Sequence, residues 1–166
     1  MLYILDYKEQ NRRTNKMVTV RKNMETFEMY YHDPSTGELW KSFFPKHTPD
    51  SRGPKILRTE PLPESLELQL KNCLTSPDEA DSVGLGIELS AKPKQWAEIV
   101  ALLKENSKTY HRSNFFLFLK YSGLLHPFAT LEKIGKTSES SGFTKKELRR
   151  MRRQTKFVKF KRFFGF

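Results

Sequence analysis

The segment ETFEMYYHDPSTGELWKSFF, residues 25–44, constrains this chain more than any other stretch. Two runs of alternating apolar residues flank DPSTG, in which Pro34 suits the second position of a type I turn and Gly37 the positive φ that closes it. Phe27, Met29 and Tyr31 fall on one face of the first run, and Trp40, Ser42 and Phe44 alternate likewise along the second. A β-hairpin with at least one apolar face follows.

Around this hairpin the pattern predicts a mixed chain. MVTV (17–20) is β-branched and reads as a short strand after a polar, basic loop, KEQNRRTNK. PKHTPDSRGP, with Pro45, Pro49, Gly53 and Pro54, reads as a loop. PESLELQLKNCL fits both a strand (Leu66, Leu68, Leu70) and a helix (Leu66, Leu70, Cys73, Leu74) opened by Pro63, with the helix preferred. SVGLGIELS alternates Val83, Leu85, Ile87 and Leu89, and so predicts a further strand. In KPKQWAEIVALLKEN, Trp96, Ile99, Val100 and Leu103 form one helical stripe behind Pro93. RSNFFLFLKYSGLL and HPFATLEKIG predict two more short, largely buried helices. The expectation is an α+β fold: a small antiparallel sheet with an N-terminal hairpin, packed by several helices and followed by a basic C-terminal helix or tail.

Charge divides the chain. Residues 145–166 hold ten Lys and Arg against Glu147 alone, a net +9 of the total +11; the remaining residues carry twenty bases and eighteen acids. Residues 1–134 read as one α+β domain with a hairpin module at 17–57, residues 135–142 (GKTSESSG) as a flexible linker, and 143–166 as a basic amphipathic tail. Thr144 and Glu147 have capping-box spacing, with Phe143 and Leu148 as its hydrophobic staple, so a helix should start there and run through ELRRMRRQ. KFVKFKRFFGF then mixes aromatics with cations without a clean period. All core elements are expected before Gly135.

Signatures of catalysis are not found. The four histidines (32, 47, 111, 126) are scattered, and Cys73 is the one cysteine, which excludes an intrachain disulfide and a cysteine-paired zinc site. Gly84 and Gly86 lack the third glycine of a dinucleotide fingerprint and mark a bulge or a close backbone approach. Asp78, Glu79 and Asp81 sit in SPDEADS, where a solvated loop or a helix cap explains them. No metal or cofactor is predicted, and the chain reads as a non-enzyme. The lone cysteine, the absence of an apolar run near 20 residues and a start unlike a signal peptide predict a cytoplasmic protein.

One family resemblance rests on the hairpin. Asp33-Pro34, Gly37, Trp40, Phe44-Pro45, Gly53-Pro54 and Leu57 have the spacing of the bacterial immunity protein family catalogued as immunity protein twenty-seven, found beside polymorphic toxins. The similarity covers residues 25–57, and the run of glycines that precedes Pro in that family is reduced here to Gly53. The resemblance implies stoichiometric binding and neutralisation of a cognate toxin. On that reading Asp33, Pro34, Gly37, Trp40, Phe44, Pro45, Gly53 and Pro54 form a structural motif. Contact falls to His32, Glu38, Lys41, Lys46, His47 and Arg52, aided by Arg149, Arg150, Arg152, Arg153, Lys156 and Lys159 of the tail. Charge and aromatics alone leave other partners open for 145–166: nucleic acid, with cations on phosphates and Phe on bases, or an anionic membrane. A solvated, disordered tail is the bland alternative.

Overall fold

A computed structural model describes residues 1–48 and 51–165; Pro49 and Phe166, read above as loop and tail, lie outside the described residues. The chain is α+β. In order it forms β1 (Tyr3–Ile4), α1 (Tyr7–Thr14), β2 (Val18–Asn23), β3 (Glu28–His32), β4 (Leu39–Phe43), β5 (Ile56–Glu60), α2 (Leu66–Leu74), α3 (Glu79–Ser90), α4 (Trp96–Asn106), α5 (Arg112–Tyr121), α6 (Pro127–Lys133) and α7 (Lys145–Phe164). The strands make one antiparallel sheet in the order β1-β5-β4-β3-β2.

Strand alternation puts cores on both faces of this sheet. Met29 and Tyr31 lie opposite Ser42 and Trp40 across the hairpin. With Ile4 and Leu57, Tyr31 and Trp40 form a small cluster edged by Met17 and Met29. Beside it runs α1, which corrects the reading of KEQNRRTNK as a loop. Asp6 caps this helix by accepting from the Glu9 N–H at 2.8 Å, and the Gln10 amide donates to the Ile4 carbonyl at 2.9 Å and the Lys55 carbonyl at 3.0 Å. Polar anchors hold α1 to the sheet, so its sequence shows no apolar stripe.

On the other face Tyr3, Phe43 and Ile56 join the large core made by the helices. SVGLGIELS is not a strand: it lies in α3, where every residue from Gly84 to Ser90 is buried. A helix enclosed on all sides needs no amphipathic stripe, and its apolar residues can alternate by coincidence. The close-approach reading of the glycines survives. A Cβ on Gly84 would overlap the Tyr3 ring, and one on Gly86 would lie 3.1 Å from the Phe118 carbonyl oxygen of α5. In the SPDEADS segment Asp78 caps α3, as expected of a cap. Asp81 departs from the solvated reading: it is buried and accepts from Tyr3 N–H at 2.8 Å and Ser76 Oγ at 2.6 Å. Helix α2 is capped by Ser65, two residues after Pro63.

The basic tail is not an appendage. After the capping box at Thr144 and Glu147, α7 runs unbroken to Phe164 and stops at Gly165, whose φ of 83° is left-handed. Leu148, Met151, Thr155 and Val158 are buried, and the three apolar ones belong to the large core, where α7 packs on α4 and α6. The core therefore extends past Gly135. Residues 135–142 are not an open linker either: they are hydrogen-bonded turns, with Ser141 buried and its Oγ donating to the Ser138 carbonyl at 2.6 Å. Among the described residues no helix is long and apolar enough to cross a membrane.

Candidate functional site

Asp33, Gly37 and Trp40 of the structural motif fix the hairpin turn and its approach, while Phe44, Pro45, Gly53 and Pro54 lie beyond the far end of β4. Asp33 is mostly buried, and its carboxylate accepts from the Ser35 N–H at 2.9 Å and the Ser35 hydroxyl at 2.5 Å. Those bonds hold its pKa below the ordinary carboxylate range. Gly37 supplies φ +75° and donates to the Asp33 carbonyl at 2.8 Å. Trp40 is 1% exposed, with the Arg13 guanidinium 4.4 Å from its ring centroid. Arg13 also lies 3.8 Å from Asp33 and 3.4 Å from Glu38, tying α1 to the turn. Phe44 and Pro45 are half-buried; Pro34 and Pro54 are exposed. Gly53 takes φ +66°, and a Cβ there would press on Lys46 at 3.2 Å.

The contact residues predicted on this hairpin separate into two groups. His32, half-buried, and Glu38, exposed and bound to Arg13, lie at the turn end. Lys46, His47 and Arg52 lie toward the opposite end, where His47 and Arg52 pack on Phe27, a non-glycine residue with φ 55°. The His47 ring sits 5.3 Å from the Phe27 ring, and the Arg52 guanidinium 4.1 Å from it. Burial and the nearby Lys133 ammonium push the Lys46 pKa down. Lys41, between the groups, is already paired with Glu28 at 2.6 Å. Phe27 was not among the predicted contacts; its unusual backbone carries no signal in the sequence.

The tail cations form a second surface. Arg149, Arg150, Arg153, Lys156 and Lys159 are exposed on α7 and Arg152 is half-buried. Among them Phe157, Phe160, Phe163 and Phe164 are each 54–57% exposed, although the opposite side of the same helix is core. The end of α7 is latched to the body: Arg112 donates to the Phe163 carbonyl at 3.0 Å, and Arg162 to the Tyr110 carbonyl at 2.7 Å. A cleft of about 640 Å³ lies between α5, the α5–α6 connection and α7, lined by Arg112, Phe116, Lys120, His126, Lys159 and Phe163 among others. Its contributors on α5 were not predicted as site residues, because nothing in their local spacing shows which distant segment they will face.

A buried charge cluster joins sheet to helices. Glu88 of α3, 2% exposed, accepts from the Tyr3 hydroxyl at 2.9 Å and from Lys92 at 2.7 Å. The Arg58 Nε lies 3.1 Å from it, as an ion pair rather than an aligned hydrogen bond. Burial, then the Glu88 carboxylate, raise the Tyr3 pKa. With each Glu88 oxygen engaged by side chains of the fold, this cluster is a brace. Among the described residues no three His, Cys, Asp or Glu side chains group as metal ligands. No family model, no curated protein and no solved structure matches this chain.

Proposed function

We propose that this protein works by stoichiometric binding, neutralising a cognate bacterial toxin without chemistry of its own. One observation carries the reading: at the end of the immunity-like hairpin opposite its turn, His47 and Arg52 pack against the partly exposed Phe27, 5.3 Å and 4.1 Å from its ring. An aromatic and an arginine side by side, ringed by polar groups, is the composition of an interface centre. The positive charge of Arg52, with Lys46 near it in the chain, suits an acidic partner surface and speeds encounter with it.

The test is co-expression with a candidate toxin taken from a neighbouring gene, at graded ratios. Survival should appear once the protein equals its toxin in number, and the pair should co-purify one to one. Arg52→Glu should lower affinity at least tenfold while leaving the fold intact, because that side chain is exposed. Protection at a small fraction of one molecule per toxin would overturn the reading in favour of an enzyme.

A further inference from the structure

The cleft beside the end of α7 stands apart from the hairpin, and what it binds is a separate question from toxin neutralisation. Its chemistry is narrow. Arg112 and Lys120 of α5 face Lys159 of α7 across it, and Lys156 lines the adjoining hollow with Phe160 and Phe163. Among the described residues that line these two hollows there is no carboxylate; the one other titratable group is His126. Like charges so arranged repel one another in the empty protein and favour an anionic occupant.

The rings say which anion. Phe163 meets Phe116 edge-on, centroids 6.4 Å apart at 71°, and Phe160 packs against Phe164 at 4.5 Å, yet Phe160 and Phe163 keep more than half of their surface open to solvent. Arg112 holds a guanidinium 5.6 Å from the Phe163 ring while bonding its carbonyl, so this wall is fixed before any ligand arrives. Flat apolar faces beside several cations match a chain that alternates planar bases with phosphates. A duplex hides its bases from such rings. A bilayer surface would call for a convex, projecting apolar edge, and here Phe116 and Phe163 line a concave hollow. An acidic protein segment would satisfy the cations but not the open ring faces.

We propose that this cleft is a binding site for single-stranded nucleic acid, with Phe160 and Phe163 stacking on unpaired bases and Arg112, Lys120, Lys156 and Lys159 holding the flanking phosphates. The experiment uses the full chain and fluorescence anisotropy with a labelled 12-nucleotide oligothymidylate. Competitors are a duplex of mixed sequence, heparin as a polyanion without bases, and vesicles rich in phosphatidylglycerol. Four neutralised phosphates predict a log–log salt slope of about −3. The paired reversal Lys120→Glu/Lys159→Glu should weaken binding at least tenfold and flatten that slope. Phe160→Ala and Phe163→Ala should each cost about tenfold at an unchanged salt slope, since stacking releases no counterions. All four side chains are exposed, and thermal melts monitored by circular dichroism check that the variants stay folded. Equal affinity for heparin or duplex, preference for the vesicles, insensitivity to both Phe changes in folded protein, or no binding at low salt would each overturn the proposal.

Discussion

Ending the chain at Gly142 removes all of α7 and separates two pictures of the basic segment. If the segment were a solvated tail, the body would lose charge and little else. In the structure the truncation strips Leu148, Met151 and Val158 from the core, with exposures of 0%, 6% and 4%. Burying each such side chain is worth roughly 1.5–3 kcal/mol, so the three together contribute about 5–9 kcal/mol. That rivals the roughly 5–15 kcal/mol of a typical domain, and the truncation also uncovers the face of α4 on which α7 rests. We expect the shortened protein to be largely unfolded at 25 °C, with no cooperative transition in circular dichroism or urea titration. The control keeps the helix and removes its charge: Arg149, Arg150, Arg153, Lys156 and Lys159 all changed to Gln, every one exposed. It should melt within a few degrees of the parent. A truncated protein with a sharp transition within about 5 °C of the full chain would refute the reasoning, because a loss of even 3 kcal/mol shifts the midpoint of a protein this size by at least about 6 °C.

Three further outcomes follow from the core and its titrating groups. Trp40→Ala should destabilise by about 3–5 kcal/mol in urea unfolding, since the ring is almost completely enclosed; an unchanged midpoint would show that it is not a core residue. Gly84→Ala should cost about 1–3 kcal/mol because its methyl group overlaps the Tyr3 ring, and a neutral result would mean that β1 and α3 can separate freely. Burial pushes the Tyr110 phenol up to about 12 and raises Tyr3 and the Cys73 thiol as well. These groups stay protonated in the folded chain while the unfolded chain ionises. Stability they contribute is therefore full below the ordinary thiol and phenol values of about 8.5 and 10 and falls as pH climbs past them. Unfolding midpoints that hold steady from pH 8 to 11 would contradict this.

What was legible in the sequence was whatever had one exposed and one buried side. The hairpin showed through Met29, Tyr31 and Trp40 around a turn whose residues have few alternative uses, and α4 showed through Trp96, Ile99, Val100 and Leu103. Where an element is buried all round or held by polar groups, periodicity carries no information. Helix α3 is enclosed between β1 and α5, and α1 is anchored by Gln10 and Arg13 rather than by an apolar stripe. In α7 the core stripe was present all along at Leu148, Met151, Thr155 and Val158, but four exposed Phe residues on the other side masked it. The candidate surfaces were legible only in part for a different reason. His47 and Arg52 are near one another in the chain, so their meeting could be anticipated. The meeting of Arg112 and Lys120 with Lys159 depends on how α7 docks, which no local pattern records.

The masking residues of α7 carry a further argument about why they are there. Lys145 and Arg149, Lys146 and Arg150, Arg149 and Arg153, and Arg152 and Lys156 are like charges four residues apart on one helix. Each such pair costs about 0.2–0.5 kcal/mol, so the four together oppose the helix by roughly 1–2 kcal/mol. The exposed rings of Phe157, Phe160, Phe163 and Phe164 leave apolar surface in water on the same helix. Folding needs neither feature, because the capping box and the buried stripe already fix where α7 begins and how it lies. Alternating Gln and Lys at those positions would give a more stable helix with the same core. The arrangement therefore makes sense as a surface whose unfavourable terms are relieved on binding: an anion draws the cations' mutual repulsion down, and a planar apolar group covers the rings. Because α7 is clamped by Arg112 and Arg162 before that partner arrives, little ordering entropy remains to be lost when it does.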